Sequence, residues 1–229
     1  MPNHEDVYQN QVEQYDRLVS KQPSLLDVIE EIRPLNGLDV IELGAGSGRF
    51  TTVMAPYVNA ILALDASADI LALNEKKLKQ EGHSHFKTQV ADHRHIPAPD
   101  ASADLVIAGW TICYLGSANV EGYHQNIEQV YREMMRVLRP KGSIIIFETM
   151  GTGVKQPHPP DFLKEYYTLL ENQYGFKHQW MRTDYQFADI EEAETLTRFF
   201  FGDDLAHSVV KDHLVTLPEC AGVWWLHKA

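Results

Sequence analysis

Several features are scarce in these 229 residues, and each scarcity closes off a class of protein. The chain has two cysteines, Cys113 and Cys220, with no spacing pattern between them. A chain of this length buries a core without covalent staples. Two unpatterned thiols therefore point to a reducing compartment, the cytoplasm, and not to a disulfide framework. No apolar run approaches the ~20 residues that a membrane-spanning helix needs. The opening residues, MPNHEDVYQN, are polar and acidic, unlike a signal or transit peptide. Positive charge is also scarce: 20 Lys and Arg stand against 32 Asp and Glu, for a net charge of −12. No run of lysine or arginine offers the basic surface that holds a phosphate backbone. Nucleic acid and membrane are not expected partners. A small molecule, neutral or cationic, is. No internal repeat or low-complexity tract is visible.

The chain is 44% hydrophobic and 23% charged, the composition of one soluble globular unit over 1–229. Residues 5–33 read as a helical N-terminal cap, with Pro23 separating two helices. Short apolar runs follow at 38–42, 60–65, 85–91, 104–109 and 143–148. Helical patterns at 47–56, 67–81 and 119–138 alternate with them. Strands alternating with helices predict a parallel sheet covered on both faces, and near-continuous apolar strands agree. After Glu148 the texture changes. A Gly/Pro-rich loop precedes a helix over 161–174, with Asp161 as N-cap and Gly175 as its stop. FKHQWMRTDYQF then reads as a strand, 189–201 and 203–214 as helices, and CAGVWWLHKA as a terminal strand. The two late strands are expected to pair antiparallel at one sheet edge. The fold class is thus α/β, doubly wound and Rossmann-like, with seven mostly parallel strands. Residues 35–150 form a binding core, and 151–229 supply the rest of the sheet and the helices on the substrate side.

The sharpest local signal is DVIELGAGSGRF, residues 39–50. A buried strand ends at Glu42, and Gly44, Gly46 and Gly48 follow. Glycine lets the chain turn tightly and lets a ligand lie against main-chain amides. The helix that follows offers unpaired N–H groups and a partial positive charge. The next strand ends in Asp65, 17 residues after Gly48, where a carboxylate can accept from two ribose hydroxyls. The spacing is G-x-G-x-G, not the G-x-G-x-x-G of dinucleotide binders, and no lysine follows as in a P-loop. Glu42 would repel a pyrophosphate and suits a cation.

In these residues the chain resembles the class I S-adenosylmethionine-dependent methyltransferases. VIELGAGSGRF is similar to the first motif of that family, and LALDAS to its second-strand acidic motif. VADHRHIPAPDASADLVIAGWTICYL resembles the third-strand acid, spacer and fourth strand. VLRPKGSIIIFE resembles the segment usually written LRPGG, with Lys141 in place of the first glycine. The resemblance covers about residues 35–150 and implies S-adenosyl-L-methionine as cofactor and methyl transfer as activity. It implies that Gly44, Ala45 and Gly46 pack on the methionine and ribose portions, while Glu42 orients that loop and favours the cationic end. Asp65 would hold the ribose, with Ala66 beside the adenine. Asp92 would accept from the adenine amino group, and the His93 amide would face the ring. Ala108, Gly109 and Trp110 would lie near the methionine moiety.

Methyl transfer from a sulfonium asks the protein chiefly to align the acceptor and exclude water. A base is needed only for an acceptor that is protonated at working pH. No catalytic residue is therefore assigned. Candidates on the acceptor side are Tyr8 and Tyr15, seven residues apart on one helical face, and Tyr114, His124 and His158. Relatives often carry a histidine near Tyr114. Here Cys113 precedes it. His83 and His85, and His93 and His95, could each chelate a metal as i, i+2 pairs. The strand between the pairs separates them by about 25–30 Å at ~3.3 Å per residue, so no shared metal site is expected.

Three other readings remain open on the sequence: a nicotinamide-dependent oxidoreductase, a non-catalytic cofactor-binding module, and aminopropyl transfer. The glycine spacing and Glu42 disfavour the first. The last needs an acidic amine pocket that the sequence does not show. No N-P-P-Y-type motif follows the fourth strand, where AGWTICYL stands. Monomer and homodimer are both compatible with the sequence.

Overall fold

The computed structural model describes residues 4–229, the side chain of Glu5 excepted. The N-terminal segment forms three helices, α1 (His4–Asn10), α2 (Val12–Val19) and α3 (Leu26–Ile32). The alternating core follows: β1 (Asp39–Leu43), α4 (Thr51–Met54), β2 (Ala60–Asp65), α5 (Ala68–Gln80), β3 (Phe86–Val90) and β4 (Ala103–Gly109). After β4 come α6 (Cys113–Gly116), α7 (Tyr123–Val137) and the long β5 (Leu138–Thr152). The last third comprises α8 (Asp161–Asn172), β6 (Lys177–Arg182), β7 (Tyr185–Gln186), α9 (Ile190–Phe201), α10 (Asp203–Lys211), β8 (Thr216–Leu217) and β9 (Glu219–His227).

Seven strands form one sheet in the order β3-β2-β1-β4-β5-β9-β6. The strands from β3 to β5 run parallel. β9 inserts antiparallel between β5 and β6. The period of two along each strand feeds two apolar layers. Ile144 and Ile146 of β5 join Val106 and Ala108 of β4 on one face, under Ile127, Val130, Met134 and Val137 of α7 and Leu163, Tyr166 and Leu170 of α8. Ile145 and Phe147 join Leu105 and Ile107 on the other, against Ile29 of α3, Met54 of α4 and Leu71 and Leu78 of α5. A third cluster ties Leu18 of α2 to Leu196 of α9, Val209 of α10 and the β7–β8 pair. This contact brings the N-terminal helices over the same end of the sheet as the C-terminal ones.

Four local departures from the sequence reading have physical causes. The N-terminal segment breaks at Gln11 as well as near Pro23, giving three helices where two are expected. The 47–56 helix shrinks to Thr51–Met54, because Gly46 and Gly48 hold positive φ (51° and 97°) and Pro56 ends the turn. The 119–138 helix starts at Tyr123, after Gly122 at φ 72°. The expected strand over 176–187 splits where Arg182 pairs with Asp184 at 2.7 Å, and β7 pairs with β8 in a separate two-stranded sheet. Lys141 sits at φ 63°, in the left-handed region where the family pattern carries glycine.

Candidate functional site

A cleft with two lobes opens at the C-terminal ends of β1, β2 and β4, where ligands bind in open α/β sheets. One lobe, of about 690 Å³, is lined by Gly46, Asp65, Ala66, Ile70, Val90, Asp92 and His93 among others. The second, of about 480 Å³, runs deeper, toward Arg49, Tyr185, Phe200 and Glu219. The lobes meet at Gly44, Gly46, Gly109, Trp110, Tyr114 and the roof residues His4, Tyr8 and Tyr15.

The floor of the first lobe is built by close backbone approach. Gly44 holds φ 67°, and a Cβ there would stand 2.3 Å from Thr111 Cβ. A side chain on Gly46 would instead meet nothing closer than Ile70 Cδ1 at 3.8 Å, so its open side faces the lobe. Asp65 fixes this loop. One carboxylate oxygen accepts from Gly46 N at 3.0 Å and the other from Ser67 N at 3.0 Å. Each oxygen keeps a further lone pair for a ligand. Val90 is 53% exposed, an apolar wall left uncovered in the lobe. Asp92 is gripped by Arg94, whose Nη2 lies at 2.5 Å, and this pairing pulls the carboxyl down to about 2. His93 is buried, with Nε2 2.9 Å from Thr111 Oγ1. Burial lowers its pKa and keeps the ring neutral.

Beneath the glycine loop, Glu42 is 1% exposed and accepts from Thr51 Oγ1 at 2.5 Å. Asn74 Nδ2 donates in turn to Thr51 Oγ1 at 2.9 Å. Burial pushes the Glu42 carboxyl up to about 8, so it is largely protonated at neutral pH. A cation beside it would draw the proton off. Ser47 Oγ is buried with no partner, and Ser47 lines the second lobe.

Trp110, at the tip of β4, has φ 51°, a left-handed conformation rare for an aromatic residue and typical of ligand sites. It is held by Trp110 N donating to Phe147 O at 2.8 Å. Its ring stacks with Phe50 and Phe147, with centroids 6.2 and 6.1 Å away. The Arg49 guanidinium lies 4.0 Å over its ring. The roof is aromatic. Tyr8 and Tyr114 share a hydrogen bond at 2.8 Å, and Tyr8 meets Tyr15 edge-on with centroids 5.0 Å apart. His4 stacks on Phe200 at 4.3 Å and reaches Tyr114 OH at 3.1 Å. Burial raises all three phenols, Tyr15 to about 12, so they act as hydrogen-bond donors and not as bases. Burial and the nearby Glu148 raise the Cys113 thiol as well, leaving it unreactive.

Most residues singled out from the sequence converge on this cleft: Glu42, Gly44, Ala45, Gly46, Asp65, Ala66, Asp92, His93, Gly109, Trp110, Tyr8, Tyr15 and Tyr114. Three do not line it. Ala108 is buried in the sheet between Leu43 and Ile146, with its side chain in the core. His124 sits exposed on α7, 3.1 Å from Glu165. His158 is exposed in the loop before α8, its amide bonded to Met150 O at 2.7 Å. Among the described residues no three of His, Cys, Asp and Glu come together as a metal site. His85 instead bonds Ala55 O at 2.7 Å.

Sequence reasoning misses His4, Arg49, Thr111, Tyr185 and Glu219. The only local signal among them is the position of Arg49 directly after the glycine loop. The others are assembled by packing between segments far apart in the chain.

Residues 41–146 match the family model described as a methyltransferase domain. Over this stretch the chain is similar to methyltransferase domains. Among curated relatives, phosphoethanolamine N-methyltransferase 3 of Arabidopsis thaliana is 24% identical over 149 residues, 63% of this chain and 29% of that protein. Demethylmenaquinone methyltransferase of Anoxybacillus flavithermus is 27% identical over 147 residues, 63% of this chain and 56% of that protein. The chain thus spans less than a third of the first relative and about half of the second. In fold the chain is similar to an S-adenosylmethionine-dependent methyltransferase from Aquifex aeolicus, with a TM-score of 0.58 at 15% identity, covering 94% of this chain and 96% of that one. It is also similar to the YcgJ protein from Bacillus subtilis, with a TM-score of 0.59 at 13% identity, covering 89% of this chain and 97% of that one. The chain therefore has the Rossmann-like architecture of these structures. Among the described residues, no helix is long and apolar enough to cross a membrane.

Proposed function

We propose that this protein transfers a methyl group from S-adenosyl-L-methionine to a small molecule. The observation that carries the reading is the two-lobed cleft. A nucleoside-sized lobe over Asp65 joins a separate, aromatic-walled lobe at a glycine junction.

The residues present fit the cofactor. Gly46 offers open backbone, Asp65 keeps acceptor capacity, and Val90 offers uncovered apolar surface. Bound there, S-adenosylmethionine supplies a methyl group already activated by a positive sulfur. The chain's own groups do the rest. Gly44, Ala45 and Gly46 carry the backbone against the cofactor, and Asp65 accepts from the ribose. Ala66 and Val90 flank the adenine, while Asp92 and the His93 amide face its polar edge. Glu42 balances the positive charge from below, giving up its proton as it does so. Gly109 and Trp110 border the junction, where the bareness of Gly109 admits Phe50 (a Cβ there would stand 2.2 Å from Phe50 Cε2). Tyr8, Tyr15 and Tyr114 roof the junction and exclude water.

In this reading residues 35–150 hold the donor, 4–33 roof the cleft, and 151–229 complete the acceptor side; residues 1–3 of the expected N-terminal cap lie outside the described residues. The net charge of −12 disfavours a nucleic-acid acceptor. Two free cysteines favour a reducing cytoplasm.

The test is titration calorimetry with S-adenosylmethionine, S-adenosylhomocysteine and NADH, followed by assay of S-adenosylhomocysteine release over a panel of small acceptors. Micromolar binding of the two sulfur nucleosides and none of NADH is expected, with turnover on at least one acceptor. Binding of NADH, or of neither nucleoside, overturns the proposal. Binding without turnover on any acceptor would leave a cofactor-binding module in its place.

A further inference from the structure

Apart from Ser47 Oγ, two polar side chains lining the second lobe carry an unpartnered atom, and they come from distant segments of the chain. Arg49 emerges from the glycine loop. Its Nη1 donates to Gln22 Oε1 at 2.7 Å, and Gln22 Nε2 donates to Thr183 O at 2.7 Å, which fixes the guanidinium in place. Its Nη2 is buried and has no hydrogen-bond partner. Among the described residues no carboxylate forms an ion pair with it, although Glu219 is close enough to exert a coulombic pull. Glu219, at the start of β9, is 2% exposed. Its Oε1 accepts from Thr149 Oγ1 at 2.9 Å and Thr152 also approaches the carboxyl, while Oε2 is buried without a well-formed hydrogen bond. The same lobe is lined by aromatic residues, among them Trp110, Tyr185, Phe200 and Phe201.

Unpaired buried donors and acceptors are costly, and where they line a cleft a ligand or water can complete them. A guanidinium without a counterion calls for an anion, and its planar fork suits a carboxylate. An apolar wall calls for a ring. One cation facing a carboxyl group favours a monoanion over a doubly charged phosphate.

Resting on the methyltransferase reading, we propose that the second lobe binds a small aromatic acid as methyl acceptor. Its carboxylate sits on Arg49, its ring lies against the aromatic wall, and a hydroxyl or amino group donates to Glu219. Arg49 and Glu219 thereby determine specificity.

The test is calorimetry on the full chain with S-adenosylhomocysteine bound, or on the free protein if that nucleoside does not bind. The probes are hydroxybenzoates and hydroxynaphthoates, their neutral methyl esters, and phosphoethanolamine. At least one acid should bind at least ~10-fold more tightly than its ester, the scale of one charge-assisted hydrogen bond. Arg49→Gln should abolish that preference and Arg49→Lys should retain part of it. Binding of S-adenosylhomocysteine by each variant certifies its fold. Acids and esters that bind alike or not at all overturn the inference. So does tighter binding of phosphoethanolamine than of every acid, or a preference that survives in folded Arg49→Gln. Failure of the wild type to bind S-adenosylhomocysteine would instead overturn the methyltransferase reading, and it is read in a separate titration.

Discussion

Replacing Glu42 by glutamine should make the protein more stable and a poorer binder of a cationic cofactor. Glu42 is 1% exposed, and burial raises its carboxyl from an ordinary 4.5 to about 8. In the unfolded chain the group returns to the ordinary value. Between those two values the folded protein holds a proton that the unfolded chain has released. Stability therefore falls as pH rises through this window. The gap between 4.5 and about 8 corresponds to ~5 kcal/mol in full, of which ~3 kcal/mol is lost by pH 7. Glutamine has the same shape and stays neutral, and its carbonyl can accept from Thr51 as the carboxylate does. Urea unfolding of both proteins, followed by tryptophan fluorescence, should give a difference that is small near pH 4.5. The difference should grow in favour of Glu42→Gln by ~3 kcal/mol at pH 7. Glu148 and Glu219, each raised to about 7 by burial, tilt both curves alike and cancel in the comparison. A difference that stays flat from pH 4.5 to 8.5 would refute the reasoning. The same variant should lose affinity for S-adenosylmethionine while keeping most of its affinity for the uncharged S-adenosylhomocysteine.

Asp65→Ala removes the acceptor of two loop amides and of the proposed ribose contact, and it should weaken S-adenosylhomocysteine binding by about 1.5–3 kcal/mol, or roughly 10–100-fold. An unchanged dissociation constant in calorimetry would remove Asp65 from the site. Gly44→Ala places a Cβ at φ 67° and 2.3 Å from Thr111 Cβ. A loss of about 2–4 kcal/mol is expected, read as a lowered Tm, and a Tm within about 1 °C of wild type would contradict the close approach. Tyr8→Phe deletes the 2.8 Å bond to Tyr114. At ~1 kcal/mol this should speed hydrogen exchange of the α1 amides roughly fivefold, and equal rates would show that the bond does not hold the roof.

The parallel half of the sheet is legible in the sequence because its causes are local. Apolar runs such as LDVIE and SIIIFE announce buried strands, and the glycines after Glu42 announce the turn over which the cleft opens. The edge is harder. CAGVWWLHKA reads as a strand, but its insertion between β5 and β6 is decided by packing on Tyr167 and His178, whose rings stack with Trp224. The short β7–β8 sheet is hidden because two-residue strands leave no periodic trace. The same division runs through the cleft. Gly44, Asp65 and Gly109 sit at strand tips, and their neighbours in sequence place them there. Glu219 comes near Arg49 only once the 169 intervening residues have folded. His124 and His158 illustrate the converse: a titratable side chain in a suitable segment still falls outside the cleft when its helix or loop turns it to solvent.

The two lobes draw on different stretches of chain. The nucleoside-sized lobe is walled almost wholly from within 44–115, inside the segment that matches the family model at 41–146. The deeper lobe takes Gln22, Thr149, Tyr185, Phe200 and Glu219 from either side of that segment. Kinship with other proteins of this fold is therefore written in one part of the polymer, while the proposed acceptor preference is shared between that part, through Arg49, and its flanks, through Glu219. A chimaera that keeps the middle and exchanges the flanks would retain the cation and change the wall that faces it.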